Sequence, residues 1–280
     1  MTDQMALFGP DGRPPEQATD AVRTLRVVIT VKAAPNPSER YGETVCVAGV
    51  SADLEHPGWI RLYPINFRTL EQEIAFAKYD IVTVDAVRAR SDPRNESWNP
   101  RMHTLRVERK LRPWNPRKGF ITPYLSDSMC ALNAAARESP ISPSLGLIRP
   151  VVVEGLDIEP HPGWTPAEQT KINNYVGQID LFGDTDRTPL DAPRLKGWYR
   201  WRCREASCGG HRQGLLDWEF VAFQRQRVHR DLPDDELANR LREKFLTQMC
   251  APGKDVAFYV GNQAKRHHVF SVLGVWWPPR

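Results

Sequence analysis

Long apolar runs are absent from this sequence, and its first residues do not have the pattern of a secretory leader. No stretch approaches the roughly 18 consecutive apolar residues of a membrane-spanning helix, so we expect no transmembrane segment. The first residues contain acids and prolines but no apolar h-region, which is not typical of a signal peptide. We therefore predict a disordered lead-in over 1–22 and a protein that does not associate with membranes.

Cysteine is scarce. The 280 residues contain only five, an odd number at widely separated positions, which is not the disulfide framework of a small secreted domain. We therefore expect free thiols, a reducing compartment and a cytoplasmic location. Cys46 and Cys130 are predicted to be small core residues, the first on a strand and the second on an alanine-rich helix.

Several common catalytic signatures are also missing. The sequence has no glycine-rich phosphate loop, no G-x-S-x-G elbow and no H-E-x-x-H pair. These absences argue against ordinary nucleotide kinases, serine hydrolases and zincins. No internal repeat or low-complexity segment is present either.

The sequence contains many short β-type segments in its first half. Segments at 24–33, 43–51, 58–65, 80–90 and 103–111 are rich in β-branched residues, and a short helix is predicted over 68–80. Five strands with one inserted helix in so short a stretch predict a small β-barrel domain over 23–120. SH3-like, PUA-like and OB-like barrels all fit this pattern.

The second half mixes helices and strands. Helices are predicted over 126–138, with Ser126 or Asp127 as cap, and near 164–179 after the N-cap Thr165. We assign 121–194 as a helical and linker region and 195–280 as an α+β domain with a strand, a strong helix over 232–250 and a C-terminal hairpin. The fold class is therefore α+β, and the chain is long enough for a substantial core.

Two cysteines and a histidine in this last domain have the spacing of a metal knuckle. Cys203, Cys208 and His211 supply ligands that zinc prefers, and zinc is normally held by four such groups. The fourth ligand stays open among His229, Cys250, His267 and His268, whereas Asp217 or Glu219 would give a more catalytic site. An iron–sulfur site or two free cysteines beside an exposed histidine are the alternatives.

Asp217 and Glu219 flank Trp218 and suggest catalysis. On a strand they would share a face and, with His211, could hold a divalent metal that hydrolyses a phosphodiester. Nucleases commonly place a lysine soon after such a pair, and here Phe220 and Val221 follow instead. On a helix the two acids would diverge and more commonly form structural ion pairs. The apolar spacing after Leu215 favours the helix.

Positive charge is concentrated in one stretch. The chain carries a net charge of +4, but 86–119 alone contains ten basic and three acidic residues, a balance of +7. Arginines neutralise phosphates and tryptophans stack on unpaired bases. The predicted nucleic-acid contacts here and beside the knuckle are Arg88, Arg90, Arg94, Trp98, Arg101, Arg106, Arg200 and Arg202. The alternative is a solvated charged face with the tryptophans in the core.

The sequence thus favours an intracellular, zinc-containing protein that binds DNA or RNA. A metal-dependent enzyme acting on nucleic acid or nucleotides through His211, Asp217 and Glu219 is the first alternative. A protein-interaction module that anchors a larger complex through exposed tryptophans is the second.

The knuckle belongs to a longer pattern, Tyr199-x-Trp201-x-Cys203-x4-Cys208-x-Gly210-His211-x5-Asp217-Trp218-Glu219. This pattern resembles a motif of uncharacterised bacterial and archaeal proteins, in which an aromatic strand leads into cysteines, a Gly-His pair and Asp-Trp-Glu. The segment 41–68 and the C-terminal hairpin are similar to the same family. The resemblance implies that both halves belong together in one prokaryotic protein, and it carries no known activity.

Overall fold

The structure is a computed structural model that describes residues 21–65, 76–177, 188–263 and 266–280. The predicted lead-in, most of the predicted helix over 68–80 and part of the predicted linker lie outside these ranges. Within them, no helix has both the length and the apolar character needed to cross a bilayer.

A closed β-barrel forms the first half. Its five strands are β1 (Arg23–Lys32), β3 (Gly42–Ser51), β4 (Trp59–Ile65), β5 (Asp80–Arg88) and β6 (Ser97–Pro100). They pair in the order β1-β3-β4-β6-β5, and β5 returns to β1 to close the ring. All these pairs are antiparallel except β4 with β6. This order, with the third and fifth barrel strands parallel, is that of the OB fold, which separates it from the SH3-like and PUA-like alternatives.

Two strands lie beside the ring. Strand β2 (Asn36–Ser38) pairs with β3, and β7 (Arg106–Lys110) pairs with β5. The segment predicted as the fifth barrel strand is therefore β7, whereas the barrel is closed by the four residues of β6. A four-residue strand that ends in proline shows no alternating pattern, so sequence periodicity did not reveal it.

The second half contains two small sheets and most of the helices. One sheet orders β10 (Val152–Pro160), β11 (Leu195–Arg202) and β12 (His211–Gly214), and the other orders β14 (Arg266–Trp276), β13 (Ala257–Gln263), β9 (Leu145–Ile148) and β8 (Leu125–Ser126). The α-helices are α1 (Trp114–Ile121), α2 (Met129–Glu138), α3 (Pro166–Val176), α4 (Trp218–Arg225), α5 (Arg227–Arg230) and α6 (Asp234–Arg242). The region predicted as helix and linker thus also supplies strands to both sheets. The mixed α+β class is confirmed.

Local sequence signals account for the helix positions. Helix α3 begins with a full capping box, in which Thr165 and Glu168 each accept the other's backbone N–H, and Pro166 occupies the first position. Helix α2 is capped by Ser128, one residue beyond the expected candidates. Helix α6 buries Leu237 and Leu241 and continues as a π-helical segment (Glu243–Gln248) that buries Phe245.

The two halves share a hydrophobic core. Ala48 and Val50, on the outer face of β3, belong to the same buried cluster as Leu145, Tyr259 and Trp276 from the second half. The buried Arg61 also bridges this interface, because its guanidinium donates to Ser144 Oγ at 2.8 Å. The second half therefore covers the outer face of β3 and β4, and the same cluster includes Val28 of β1 and Ile81 of β5, whereas β7 is mostly exposed.

Candidate functional site

Four potential metal ligands converge in the second half. The thiols of Cys130, Cys203 and Cys208 and Nε2 of His211 all lie within 4.8 Å of one another. His211 Nε2 is 3.3 Å from Cys208 Sγ, 3.4 Å from Cys203 Sγ and 3.8 Å from Cys130 Sγ. Cys203 Sγ and Cys130 Sγ are 3.6 Å apart. This Cys3His cluster can hold a metal ion, and it confirms that the predicted knuckle residues come together.

A strand, a tight turn and a second strand position three of the four ligands. Cys203 directly follows β11, Cys208 lies in the turn, and His211 begins β12 opposite Trp201. Gly210 has φ of 100°, a conformation that residues with a Cβ rarely adopt, and it directs the chain from Cys208 into β12. The Trp201 ring packs 4.7 Å from the His211 ring and limits the orientations of the imidazole.

The fourth ligand is Cys130, which lies in the first turn of α2. The sequence interpretation of Cys130 as a core residue missed this role, and the structure places all four proposed alternatives elsewhere. His229 stacks on Phe223, the thiol of Cys250 contacts the Phe245 carbonyl, and His267 and His268 contact each other. Cys130 precedes Cys203 by more than seventy residues, so no local spacing could identify it.

Backbone and side-chain contacts hold the knuckle turn against the start of α2. The N–H of Arg204 donates to the carbonyl of Asp127 at 2.9 Å. The Arg204 guanidinium also lies 3.3 Å from the Asp127 carboxylate, and Ser128 Oγ donates to Glu205 at 3.1 Å. The ligand from α2 is therefore fixed relative to the other three.

The cluster places three thiols in one small space, and the pKa values of two of them, Cys130 and Cys203, shift in opposite directions. Burial, together with the neighbouring thiols of Cys203 and Cys208, raises the pKa of Cys130 to about 12. Burial acts in the same direction on Cys203, but hydrogen bonds from His211 and from nearby backbone amides lower its pKa to about 6. Without a cation Cys203 thus ionises more readily than Cys130, whereas a bound metal would stabilise the thiolate form of its cysteine ligands.

Asp217 and Glu219 lie at the start of a helix, as the spacing indicated. Asp217 is the N-cap of α4, and its carboxylate accepts the N–H of Glu219 at 2.9 Å. Asp217 is buried, whereas Glu219 is exposed. Among the described residues, His211 clusters with three cysteines and with neither acid. The predicted arrangement of His211, Asp217 and Glu219 around one ion is therefore not present. A catalytic role for the two acids stays a prediction.

A lysine from the first half approaches these acids. A Cβ atom placed on Gly274 would be 3.0 Å from Lys78 Nζ and 3.4 Å from Asp217 Oδ2. Both charged groups therefore lie beside Gly274, in the space left by its missing side chain. Burial, partly offset by Lys78, raises the pKa of Asp217 to about 7. Burial would lower the pKa of Lys78, but Tyr79, Glu219 and Asp217 raise it above its ordinary value.

Most of the eight predicted nucleic-acid contacts are engaged within the protein. Trp98 is 6% exposed and lies in the barrel core with the Arg88 guanidinium 4.1 Å from its ring centre, so it offers no free face to a base. Arg94 pairs with Asp92 and donates to the Asn262 carbonyl at 3.0 Å. Arg200 and Arg202 are exposed but pair with Asp157 and Glu154 at 2.9 and 2.8 Å.

The remaining cations lie on the exposed side of the barrel. Arg90 lies two residues after β5, Arg101 directly follows β6, and Arg106 begins β7. Arg109, Lys110 and Arg112, counted in the basic stretch but not singled out, are exposed on or directly after the same strand. We call these six residues the β6–β7 basic surface. The acid within it, Glu108, is paired with Arg26 at 2.8 Å.

The tryptophans do not form exposed anchors. All nine lie in the described ranges, and each is buried or half-buried. Trp114, Trp276 and Trp277 pack edge to face near the interface between the halves. The predicted interaction module uses exposed tryptophans as anchors, and none of the nine is exposed. A role in a larger complex therefore stays a prediction without these anchors.

Comparison with protein families divides the chain where the structure does. Residues 125–280 match the model of a domain of unknown function, DUF8757, and residues 23–123 match that of a second domain of unknown function, DUF8758. The chain belongs to the DUF8757 family. No curated protein matches it. The resemblance to an uncharacterised family without a known activity is thereby confirmed.

The DUF8757 region contains the complete Cys3His cluster as well as Asp217 and Glu219. The DUF8758 region contains the barrel, Lys78 and the β6–β7 basic surface. In this DUF8757 protein the Cys3His cluster therefore belongs to one matched region, whereas the group formed by Lys78 and Asp217 requires both.

Proposed function

We propose that this protein is a zinc-stabilised nucleic-acid-binding protein, in which zinc holds the second half together and the barrel contacts phosphates. The donor set and its spacing support zinc. Around an ion with Zn–S of about 2.3 Å and Zn–N of about 2.0–2.1 Å, tetrahedral sulfurs lie about 3.8 Å apart and sulfur–nitrogen pairs about 3.6 Å apart. Four of the six separations in the cluster are 3.3 to 3.8 Å, close to these values, and all six are within 4.8 Å.

A structural rather than a catalytic zinc follows from the number of ligands. Three thiolates and one imidazole complete a tetrahedron and leave no position for a reacting water. Zinc would join the end of β11 and the start of β12 to the first turn of α2, which is far from both in sequence. Its chemistry there is to neutralise thiolates and fix three elements, so the ligand-binding surface lies elsewhere in the molecule.

The observation that carries nucleic-acid binding is a basic surface on an OB-type barrel. Such barrels commonly bind single strands, by combining a positively charged groove with stacking side chains. Because the second half covers the outer face of β3 and β4, a strand would lie along the β6–β7 basic surface. Six exposed cations there face one acid that is already paired.

Binding should depend on these cations and on salt. We expect the triple variant Arg101→Ala/Arg106→Ala/Arg109→Ala to lose affinity for a fluorescent single-stranded oligonucleotide, and the slope of log K against log salt to fall by about 2, since each phosphate contact on a single strand contributes about 0.7. Fluorescence anisotropy from low to physiological salt measures both quantities.

A matched triple variant controls for the change in net charge. Arg137, Arg227 and Arg240 are exposed and lie in the second half, so replacing all three by alanine removes equal charge without touching the barrel. Equal loss in both triple variants would show that net charge alone drives binding, and no salt dependence in the wild type would refute the proposal. The pair Arg200→Ala/Arg202→Ala tests whether the sheet beside the knuckle forms a second contact area.

A second candidate function, an enzyme acting on nucleic acid or nucleotides, is favoured by the position of Lys78. The missing lysine of the nuclease-like pattern is supplied from the other half of the chain, beside Asp217. A carboxyl with a pKa of about 7 is suited to proton transfer at neutral pH.

We expect Asp217→Asn/Glu219→Gln and Lys78→Met each to abolish any magnesium-dependent cleavage of an oligonucleotide, with far-UV circular dichroism unchanged. Gel electrophoresis of labelled substrate measures the cleavage. Asp191→Asn, an exposed acid that precedes β11, serves as the control. Activity in both active-site variants equal to that of the wild type would remove the enzyme candidate.

A further inference from the structure

A cavity lies where the loop after β1 meets the second half. Its volume is about 210 Å³, and its walls include Ala34 and Pro35 from the barrel and Trp164, Trp198 and Phe220 from the second half. A cavity of about 150 Å³ accommodates a benzene ring, so this one has room for one planar heterocycle. It is separate from the Cys3His cluster, whose four ligands are not among its walls.

Two tryptophans give the cavity firm aromatic walls. The Trp164 indole is fixed by donating from Nε1 to the Leu190 carbonyl at 2.7 Å, and it packs edge to face on His161, 5.6 Å away. Trp198 lies in β11 above Gly214, whose Cβ position would be 3.7 Å from the indole nitrogen. Rigid aromatic surfaces bind planar ligands at a low cost in conformational entropy.

Few polar groups reach the cavity, and each has a defined role. Burial and the nearby Lys196 lower the pKa of His161, which keeps its ring neutral at pH 7. Because His161 Nδ1 accepts the N–H of Gly163 at 3.1 Å, the proton of the neutral ring is on Nε2, which is a donor. Asn36 adds an amide that can both donate and accept. This pattern fits the hydrogen-bonding edge of a heterocycle.

The remaining charged groups in the cavity wall are cationic. Lys196 and Arg225 line the cavity, and among the described residues of its wall there is no carboxylate. Arg225 is exposed, and it donates to the Asp191 carbonyl at 2.7 Å, which leaves other N–H groups of its guanidinium for a ligand. Lys196 Nζ lies 4.9 Å from the centre of the Trp198 ring, so a positive charge adjoins an aromatic wall. A planar ligand with an attached anion meets these requirements together.

We propose that this cavity binds one nucleobase together with its 5′-phosphate, the base between the tryptophan walls and the phosphate at Arg225 and Lys196. A free nucleotide and an unpaired base in a bound strand present the same chemistry to this cavity. The inference therefore rests on the proposed function only where the base is taken to belong to a strand.

Calorimetric titration with the four nucleoside 5′-monophosphates and with the matching nucleosides tests the proposal. Loss of an aromatic stacking partner costs about 1–3 kcal/mol per base, or roughly 5- to 150-fold in affinity. We expect Trp198→Ala or Trp164→Ala to weaken monophosphate binding by such a factor, and the corresponding phenylalanine variants to recover most of it. Arg225→Ala should lower the affinity for the monophosphate towards that for the nucleoside, with Lys196 retaining part of the difference, and leave nucleoside binding unchanged.

Arg227, exposed two residues beyond Arg225 and outside the cavity wall, supplies the matched control Arg227→Ala. The barrel variant Arg101→Ala/Arg106→Ala/Arg109→Ala should bind monophosphates like the wild type. Monophosphate binding without oligonucleotide binding would reject the proposed function but uphold the cavity. Absence of monophosphate binding at millimolar concentration, or equal affinity in wild type and both tryptophan variants, would overturn the inference.

Discussion

Replacing Cys130 by serine should remove the bound metal and unfold the second half of the protein. Structural zinc contributes roughly 10–16 kcal/mol in small zinc domains at pH 7, whereas a whole protein is stable by only about 5–15 kcal/mol. The site joins β11, β12 and α2, and its ligands pack against the core that contains Trp201, Phe258 and Leu241. We therefore expect about one zinc per chain in the wild type and almost none in Cys130→Ser.

Elemental analysis of purified protein, combined with thermal unfolding followed by circular dichroism, measures this effect. Cys250→Ser is the matched control, because Cys250 is also half-buried and packs against the same core, yet its thiol contacts the Phe245 carbonyl rather than the cluster. Equal zinc content in Cys130→Ser and Cys250→Ser would contradict the proposed fourth ligand. Full stability of the wild type after treatment with a chelator that removes the metal would contradict the structural role.

The part of the metal site that sequence could reveal is the part encoded locally. Cys203, Cys208 and His211 lie within nine residues, and a strand–turn–strand with Gly210 at positive φ brings them together. Cys130 joins them only through tertiary packing of α2 against the end of β11. A single sequence contains no signal for that contact, since a cysteine on an alanine-rich helix is equally consistent with a core position.

The same division between local and tertiary information explains which barrel strands and which arginine contacts the sequence could predict. Alternating β-branched residues predicted β1, β3, β4 and β5, but the short β6 has no such pattern. The basic stretch is visible in sequence, yet the partner of each arginine is not. Arg94 meets an acid two residues away and a carbonyl at Asn262, while Arg101 remains exposed. The strand order that identifies the OB fold likewise depends on pairings between distant segments.

Lys78 shows how tertiary structure can change the interpretation of a motif. The absence of a lysine after Glu219 argued against a nuclease-like site, because the sequence displays only neighbours along the chain. The interface between the halves brings Lys78 to Asp217 from another domain. The bridge that pairs Ala33 with Asp217, and the bond from the Ala34 N–H to the Leu216 carbonyl, fix the two halves at this point.

The buried carboxyl of Asp217 should make stability depend on pH in a way that Asp217→Asn removes. Its pKa rises from 3.8 to about 7 on folding, chiefly through burial. The folded state thus holds this proton more tightly than the unfolded state. The resulting stabilisation is fully present below pH 3.8 and is lost as pH rises through 7. At about 1.4 kcal/mol per pKa unit, the loss is on the order of 4 kcal/mol.

Urea unfolding of the metal-loaded protein from pH 5 to pH 9 measures this dependence. Asparagine caps helices as well as aspartate does, so Asp217→Asn retains an acceptor for the Glu219 N–H. This variant should be more stable than the wild type, by a margin that grows towards pH 9.

Glu219 raises the Asp217 pKa and Lys78 lowers it. Glu219→Gln should therefore shift the transition to lower pH and Lys78→Met to higher pH. Because Lys32 also lowers this pKa, Lys32→Met should shift the transition in the same direction as Lys78→Met. A stability difference between Asp217→Asn and wild type that is constant across this range would show that Asp217 remains charged when buried, with Lys78 as its permanent counter-ion.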